Sequence, residues 1–251
     1  MNVDTTKTIR EMALNIPGAT RVFERFGIDY CCGGNRPLKE ACSAANLQIQ
    51  QVLDSLESAA AAEHEREKRT MGQPHENWQQ APLADLIAHI TEKHHKYVKA
   101  ETIRLRPLFD KVCNVHGIKN PELLNLRTDF HTLALELSTH MMKEEMVLFP
   151  YIERMEEAVI GGEPLLPAPF GSVNKPVAAM IHEHDSAGQL LRKMRQLSNE
   201  YQAPDGACVS YRTLYSALSE FERDLHQHVH LENNILFPRA LQMEQQKQCR
   251  H

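Results

Sequence analysis

The sequence lacks several features that would place it in a common class of protein. No run approaches the roughly 18 uninterrupted apolar residues of a membrane span, and the N-terminal residues contain no apolar core of a secretory signal. There is no long basic run, and the net charge is -5, which argues against a nucleic-acid surface. We therefore expect a cytoplasmic protein that binds neither membranes nor nucleic acids.

The cysteines form neither an evenly spaced disulfide framework nor the paired CxxC of a zinc site, so we expect a reducing compartment. Cys31 and Cys32 are adjacent and precede Gly33 and Gly34, which permit unusual backbone angles and close approach. Adjacent cysteines form only a strained disulfide, so reversible redox chemistry or transient metal contact is one interpretation. The other interpretation is that the two cysteines are small residues in a turn, and the local sequence favours this second interpretation.

Alternation typical of strands is absent from the long C-terminal region, and the apolar pattern predicts an all-α protein. We predict a small helical domain over residues 1–60, a charged linker over 61–80, and a four-helix bundle over 81–245. Glycine and proline separate the long periodic segments of the bundle. These segments span about 82–110, 121–157, 173–201 and 209–244.

One motif occurs twice in the predicted bundle. HMMKEEMVLFP, residues 140–150, returns 88 residues later as HVHLENNILFP, residues 228–238. A histidine and a glutamate four residues apart lie on the same face of a helix, so both can reach one metal site. The repetition of the whole helix pair indicates a site with pseudo-twofold symmetry.

The apolar stripe of each predicted helix carries a histidine towards the interior. His94 follows Ile90 by four residues in the first helix, and the other helices contribute histidines at matching depths. The predicted ligands are His94, His140, Glu144, His184, His228 and Glu232. The histidines predicted to lie off these stripes, in solvent or around the ligands, are His89, His95, His182, His226 and His230.

Two buried carboxylates are unfavourable unless a cation or hydrogen-bond donors neutralise them. Four imidazoles and two carboxylates without thiolate suit iron or manganese better than structural zinc, and the carboxylates can bridge two ions. Three alternatives stay open. In the first, the motifs form surface His/Glu pairs. In the second, buried histidines and glutamates satisfy one another's hydrogen bonds without a metal. In the third, the bundle holds structural zinc.

The motifs HMMKEE, EHD at residues 183–185 and HLENNILFP resemble those of hemerythrin-like domains, and more closely those of the Repair of Iron Centres family. DYCCGG at residues 29–34 looks like the N-terminal thiol motif of that family. The resemblance implies a hemerythrin-like antiparallel four-helix bundle with a small N-terminal helical domain. It also implies a non-haem di-iron centre, oxo- or hydroxo-bridged, on the six predicted ligands, and functional thiols at Cys31 and Cys32.

The resemblance implies repair of iron-sulfur clusters damaged by nitric oxide or peroxide, with iron supplied to damaged iron-sulfur proteins rather than catalysis. Reduction of nitric oxide at the di-iron centre and oxygen or redox sensing remain alternatives. Oxygen-carrying hemerythrins use a fifth histidine, whereas Met180 and Gly188 stand one turn either side of His184 here, which argues against simple oxygen carriage. Whether the protein is a monomer or a homodimer stays open.

Overall fold

The computed structural model describes residues 4–31, 33–69, 77–163, 168 and 170–248. Within these residues the regular structure is helical, with isolated bridges but no strand, which confirms the all-α prediction. None of the helices in this described part is both long and apolar enough to cross a membrane.

The chain divides into two compact units. The first combines Met1–Ala81 with Val229–Ile235, and the second combines Pro82–His228 with Leu236–His251. Helix α4 extends to Arg69, so the first residues of the predicted linker are helical, while residues 70–76 lie outside the described part.

The N-terminal part of the first unit contains short helices and one long helix, which are α1 (Ile9–Asn15), α2 (Ala19–Arg25), α3 (Leu38–Ala44) and α4 (Ile49–Arg69). Thr8 and Glu11 form a capping box that starts α1. Gly18 precedes α2 with φ +75°, and a Cβ there would lie 3.2 Å from the Cβ of Ala59, so glycine permits α2 and α4 to approach. Helix α3 was not predicted from the sequence.

The core of the first unit comes from the apolar positions of all four helices and from Tyr30. These side chains leave almost no surface to water, and burial of this kind contributes about 25 cal/mol per Å² of apolar area. Among them are Ile9, Met12, Val22, Phe23, Leu38, Val52 and Leu56.

Four long helices, here called A to D, form a bundle, which confirms the predicted fold. All of them belong to the second unit except residues 229–235 of helix D, which belong to the first. Helix A spans 83–116 and consists of α5 (Leu83–His89), a π-helical turn (Ile90–His95) and α6 (Lys96–His116). Helix B spans 122–161 and consists of α7 (Glu122–Lys143), a π-helical turn (Glu144–Leu148) and α8 (Phe149–Gly161). Helix C is α9 (Asn174–Leu197). Helix D spans 209–248 and consists of α10 (Val209–Leu231), a π-helical turn (Glu232–Leu236) and α11 (Phe237–Gln248).

Helices A and B run antiparallel, because α5 packs on α8 and α6 packs on α7. A buried glutamate ties the ends of this hairpin together: the carboxylate of Glu156 accepts hydrogen bonds from the backbone N–H of Leu83 at 2.7 Å and of Ala84 at 2.9 Å. Glu244 of helix D accepts a hydrogen bond from Val173 N–H at 2.9 Å at the start of helix C. Glu156 and Glu244 are 88 residues apart, so the duplication extends to these caps.

Candidate metal centre

In the described part of the chain, three of the four bundle helices contain a π-helical turn. The turn of helix A includes His94 and His95, and those of helices B and D begin at Glu144 and Glu232. A π-helical turn bonds residue i to residue i+5, so it rotates the side chains that follow relative to an α-helix. Pro150 and Pro238 follow two of these turns and have no N–H to give to the carbonyl four residues earlier, which favours the wider turn. The Leu-Phe-Pro end of the repeated motif therefore positions the turn that begins at Glu144 or Glu232.

Buried histidines and glutamates form two groups in the described part of the chain. One contains His140, Glu144, His184 and Glu232, and the ligand atoms of these residues lie within 4.8 Å of one another. The second satisfies the same criterion and contains His95, Glu144, His228 and Glu232. Both glutamates therefore belong to both groups, and each group adds its own pair of histidines.

The distances within each group match the requirements of a first-row metal ion. The Nε2 atoms of His140 and His184 lie 3.0 Å apart, and those of His95 and His228 lie 3.1 Å apart. Two imidazole nitrogens at about 2.1 Å from one ion, at a right angle, are separated by about 3.0 Å. Glu144 Oε2 lies 3.3 Å from His140 Nε2 and 3.5 Å from His95 Nε2, between the two pairs. The residues present thus fit a dinuclear centre.

The structure brings five of the six predicted ligands together, namely His140, Glu144, His184, His228 and Glu232. The sixth, His94, lies outside both groups, and its neighbour His95 lies in the second group instead. The prediction counted four residues from Ile90, as in an α-helix, whereas the segment from Ile90 to His95 is π-helical. The wider turn places the fifth residue, His95, where an α-helix would place the fourth.

His94 lies beside the centre. Its Nδ1 atom is 3.0 Å from Oδ1 of Asp224, and its ring stacks parallel to that of His228 with centroids 5.8 Å apart. His94 is also buried, so the two neighbouring histidines of helix A both lie inside the bundle. The apolar stripe predicted His94 inside and His95 off the stripe, whereas both are buried.

A carboxylate outside the centre orients one histidine of each group. Nδ1 of His95 lies 2.7 Å from Glu145 Oε1, and Nδ1 of His140 lies 2.8 Å from Glu183 Oε2. This contact fixes the ring so that Nε2 faces the centre, and it increases the basicity of that nitrogen. Glu183 lies in the motif EHD and Glu145 in HMMKEE, but neither motif predicts that its carboxylate contacts a histidine 43 or 50 residues away.

A lysine holds each of these two carboxylates. Lys99 Nζ lies 2.6 Å from Glu145, and Lys143 pairs with Glu183. Partial burial alone would raise the pKa of Glu183, but the hydrogen bonds from Lys143 and His140 outweigh it and lower the pKa below its ordinary value. Lys99 and His95 do the same for the pKa of Glu145.

The phenylalanine of the Leu-Phe-Pro repeat contacts the centre directly. Phe149 stacks on His95 with ring centroids 5.7 Å apart, and Phe237 stacks on His184 at 6.1 Å. Both rings are buried, so they exclude water from one face of each imidazole. Both phenylalanines are therefore core residues that also pack against an imidazole of the centre.

The predicted thiol motif lies in a loop of the first unit. Cys31 is buried, and its Sγ atom lies 3.4 Å from Oδ1 of Asp29. Asn234 donates a hydrogen bond to the Tyr30 carbonyl at 3.1 Å, and Gly34 approaches that oxygen so closely that a Cβ would lie 2.8 Å from it. Cys32 lies outside the described residues, so the chemistry of the cysteine pair stays a prediction.

His230 packs against the same loop and is neutral at physiological pH. Burial, together with the positive charge of Arg10, lowers the pKa of His230 to about 4. Its ring meets that of Tyr30 edge-on with centroids 5.4 Å apart, and its Nδ1 accepts a hydrogen bond from Asn234 at 2.8 Å. His230 therefore supports the loop and does not belong to either group.

A helical bundle with buried histidines and glutamates that two groups share is the arrangement of a protein of the hemerythrin class. Sequence comparison agrees, since residues 86–240 match the Hemerythrin HHE cation binding domain. Residues 5–60 match the ScdA_N domain, a domain of unknown function.

Relatives match over nearly the whole chain. An iron-sulfur cluster repair protein YtfE from Dickeya chrysanthemi is 37% identical over 95% of this chain and 98% of its own length. Proteins with the same name from Pectobacterium atrosepticum and Yersinia pseudotuberculosis are each 36% identical over the same shares of the two chains. The chain belongs to this family of iron-sulfur cluster repair proteins.

Proposed function

We propose that this protein repairs damaged iron-sulfur clusters by supplying iron from a di-iron centre in its helical bundle. The observation that supports the proposal best is the pair of buried His/Glu groups that share Glu144 and Glu232. The names of the relatives support the repair role, and the donor chemistry supports iron. The groups contain nitrogen and oxygen donors without thiolate, which suits iron better than structural zinc.

In this proposal His140 and His184 would hold one iron, His95 and His228 would hold the other, and Glu144 and Glu232 would contribute to both sites. Bound iron supplies a redox-active ion with coordination positions that the protein leaves open. Glu145 and Glu183 hold the imidazole rings in place, and Phe149 and Phe237 keep water from the stacked faces.

Iron is also the cargo. Two histidines and two shared carboxylates give each ion fewer protein donors than the six of an octahedral site, which favours release to an acceptor. The proposed acceptors are iron-sulfur proteins damaged by nitric oxide or peroxide in the cytoplasm. Cys31 and Cys32 assist the transfer or set its redox poise.

The test uses the iron-loaded protein and an iron-sulfur enzyme inactivated with nitric oxide. Activity should recover above that obtained with an equal concentration of free ferrous iron. The double variant Glu144→Ala, Glu232→Ala should give no more recovery than free iron, while Glu136→Ala, an exposed change on helix B, should behave like the wild type. Recovery equal to the free-iron control would reject iron supply.

The same samples separate repair from nitric oxide reduction. Nitrous oxide is measured by gas analysis under anaerobic, reducing conditions. Many turnovers of nitrous oxide without recovery of the enzyme would replace the proposal with a reductase function. A yield below one equivalent per protein, with recovery, supports iron supply.

A further inference from the structure

A cysteine and a histidine meet where helix A ends and helix D begins. His116 is the last residue of α6, and Cys208 directly precedes α10. Nε2 of His116 lies 3.1 Å from Sγ of Cys208, within hydrogen-bonding distance for sulfur. His116 is 21 residues beyond His95 on helix A, which at 1.5 Å per residue places the pair about 30 Å from the metal centre.

The two helix ends favour separation of charge between these residues. The Cys208 carbonyl accepts the hydrogen bond from Arg212 N–H at 3.1 Å that opens α10, so Cys208 is the N-cap of that helix. Negative charge that develops on its sulfur therefore lies at the positive end of the α10 dipole. Positive charge on the imidazole of His116 lies at the negative end of the α6 dipole.

The histidine is held in position while the thiol is open to solvent. The buried ring of Tyr211 packs against His116 with centroids 5.3 Å apart, and the Tyr211 hydroxyl lies 3.3 Å from that of Tyr215. Cys208 itself is exposed, so a small molecule can reach its sulfur. An oriented base beside an accessible thiol is the arrangement of an activated cysteine nucleophile.

Two other thiols, one in the first unit and one in the bundle, differ from Cys208 in their access to solvent. Cys42 and Cys113 are buried, and burial raises the pKa of each thiol. Cys113 also lies with its Sγ 3.5 Å from the Leu123 carbonyl and has no access to solvent reagents. These two cysteines serve as internal references.

We propose that Cys208 is a nucleophilic thiol with His116 as its base, and that its substrates are small-molecule disulfides. The sulfur of Cys208 attacks one sulfur of the disulfide while His116 takes the thiol proton. The S–S bond of the small molecule breaks and a mixed disulfide forms on Cys208. The proton passes from His116 to the departing thiolate, which leaves as a thiol. A free thiol reverses the reaction, so the modification is reversible.

The experiment uses the full chain and glutathione disulfide, with the adduct at each cysteine quantified over time by peptide mass spectrometry. Cys208 should react faster than Cys42 and Cys113, and faster than Cys208 in the same chain unfolded in urea. His116→Gln should slow the reaction at Cys208 by about 100-fold, the lower end of general-base contributions. His182→Gln, an exposed change on helix C, should leave the rate unchanged.

Circular dichroism establishes that the variants are folded, and Cys208→Ser verifies the assigned peptide. An equal rate in wild type and His116→Gln would overturn the role of His116. A folded-state rate at Cys208 no higher than in the unfolded chain would overturn the proposal as a whole. Neither result bears on iron supply, because the pair and the metal centre share no residue.

Discussion

The Nε2 atoms of His95 and His228 lie 3.1 Å apart, joining helix A to helix D through two imidazoles. His140 and His184 join helix B to helix C in the same way at 3.0 Å. Glu144 and Glu232 contribute to both pairs. The duplicated motif thus produces two equivalent half-sites with shared acids, and this arrangement leads to the following predictions.

The shared carboxylates should determine metal content. We expect the wild type to bind two ions per chain, one for each His/Glu group. The Glu144→Ala, Glu232→Ala variant should lose both, because each ion would keep only its histidine donors. Inductively coupled plasma mass spectrometry measures the content, with Glu136→Ala as the matched control. Retention of two ions by the double variant would contradict the site.

Substitution of His94 and of His95, the two neighbouring histidines of helix A, should change the metal content to different extents. His95→Ala removes a nitrogen donor from one group, so metal content should fall. His94→Ala removes a side chain that contacts Asp224, so most of the metal should remain. The same elemental analysis compares the variants. Greater metal loss from His94→Ala than from His95→Ala would show that the α-helical register applies when metal is bound.

The carboxylate behind His140 should tune metal affinity. Glu183→Gln keeps the shape of the side chain but removes the charge that faces His140 Nδ1 at 2.8 Å. Loss of such a partner lowers metal affinity by about 10- to 100-fold. Competition with a coloured chelator measures the change, and Glu136→Gln is the control. Unchanged affinity would mean that packing alone orients the His140 ring.

Glu156 should stabilise the bundle without metal. Glu156→Ala removes the acceptor for the backbone N–H groups of Leu83 and Ala84. We expect the free energy of unfolding to fall by about 2 kcal/mol, as for the loss of a charged helix cap. Urea unfolding of the metal-free protein measures it. The exposed neighbour Glu157→Ala should change it by less than about 0.5 kcal/mol. Equal effects would contradict the capping role.

The protein should lose stability at alkaline pH. Burial raises the pKa of the Tyr211 and Tyr215 hydroxyls above the ordinary value of about 10. The folded state therefore keeps these protons at a pH where the unfolded chain releases them. The contribution of these two tyrosines to the free energy of unfolding is complete below about pH 10 and falls as the pH rises above that value.

Urea unfolding between pH 8 and pH 11 tests this expectation. The double variant Tyr211→Phe, Tyr215→Phe cannot release these protons, so its stability should decline less steeply than that of the wild type. Tyr30→Phe, in the first unit, is the control for general effects of tyrosine removal. Parallel declines in wild type and the double variant would exclude the two tyrosines as the source.

Much of the fold and the centre follows from the sequence. Apolar residues at helical spacing predicted the bundle because each helix must bury one stripe against the others. The repeated His/Glu motif predicted most of the buried groups, because residues four apart share a helix face. The family resemblance rested on the same residues, and comparison with known proteins confirmed it.

The sequence by itself determined the helical architecture, the duplicated motif and the chemistry of the donor atoms. Only the tertiary structure decided which of His94 and His95 enters the centre, because a π-helical turn shifts the register by one residue. It also decided which acids support the ligands and which thiol meets a histidine. These pairs, such as His140 with Glu183 and His116 with Cys208, join residues far apart in the chain. Their contact depends on which helices are neighbours and at what depth they pack, and the period of one helix specifies neither.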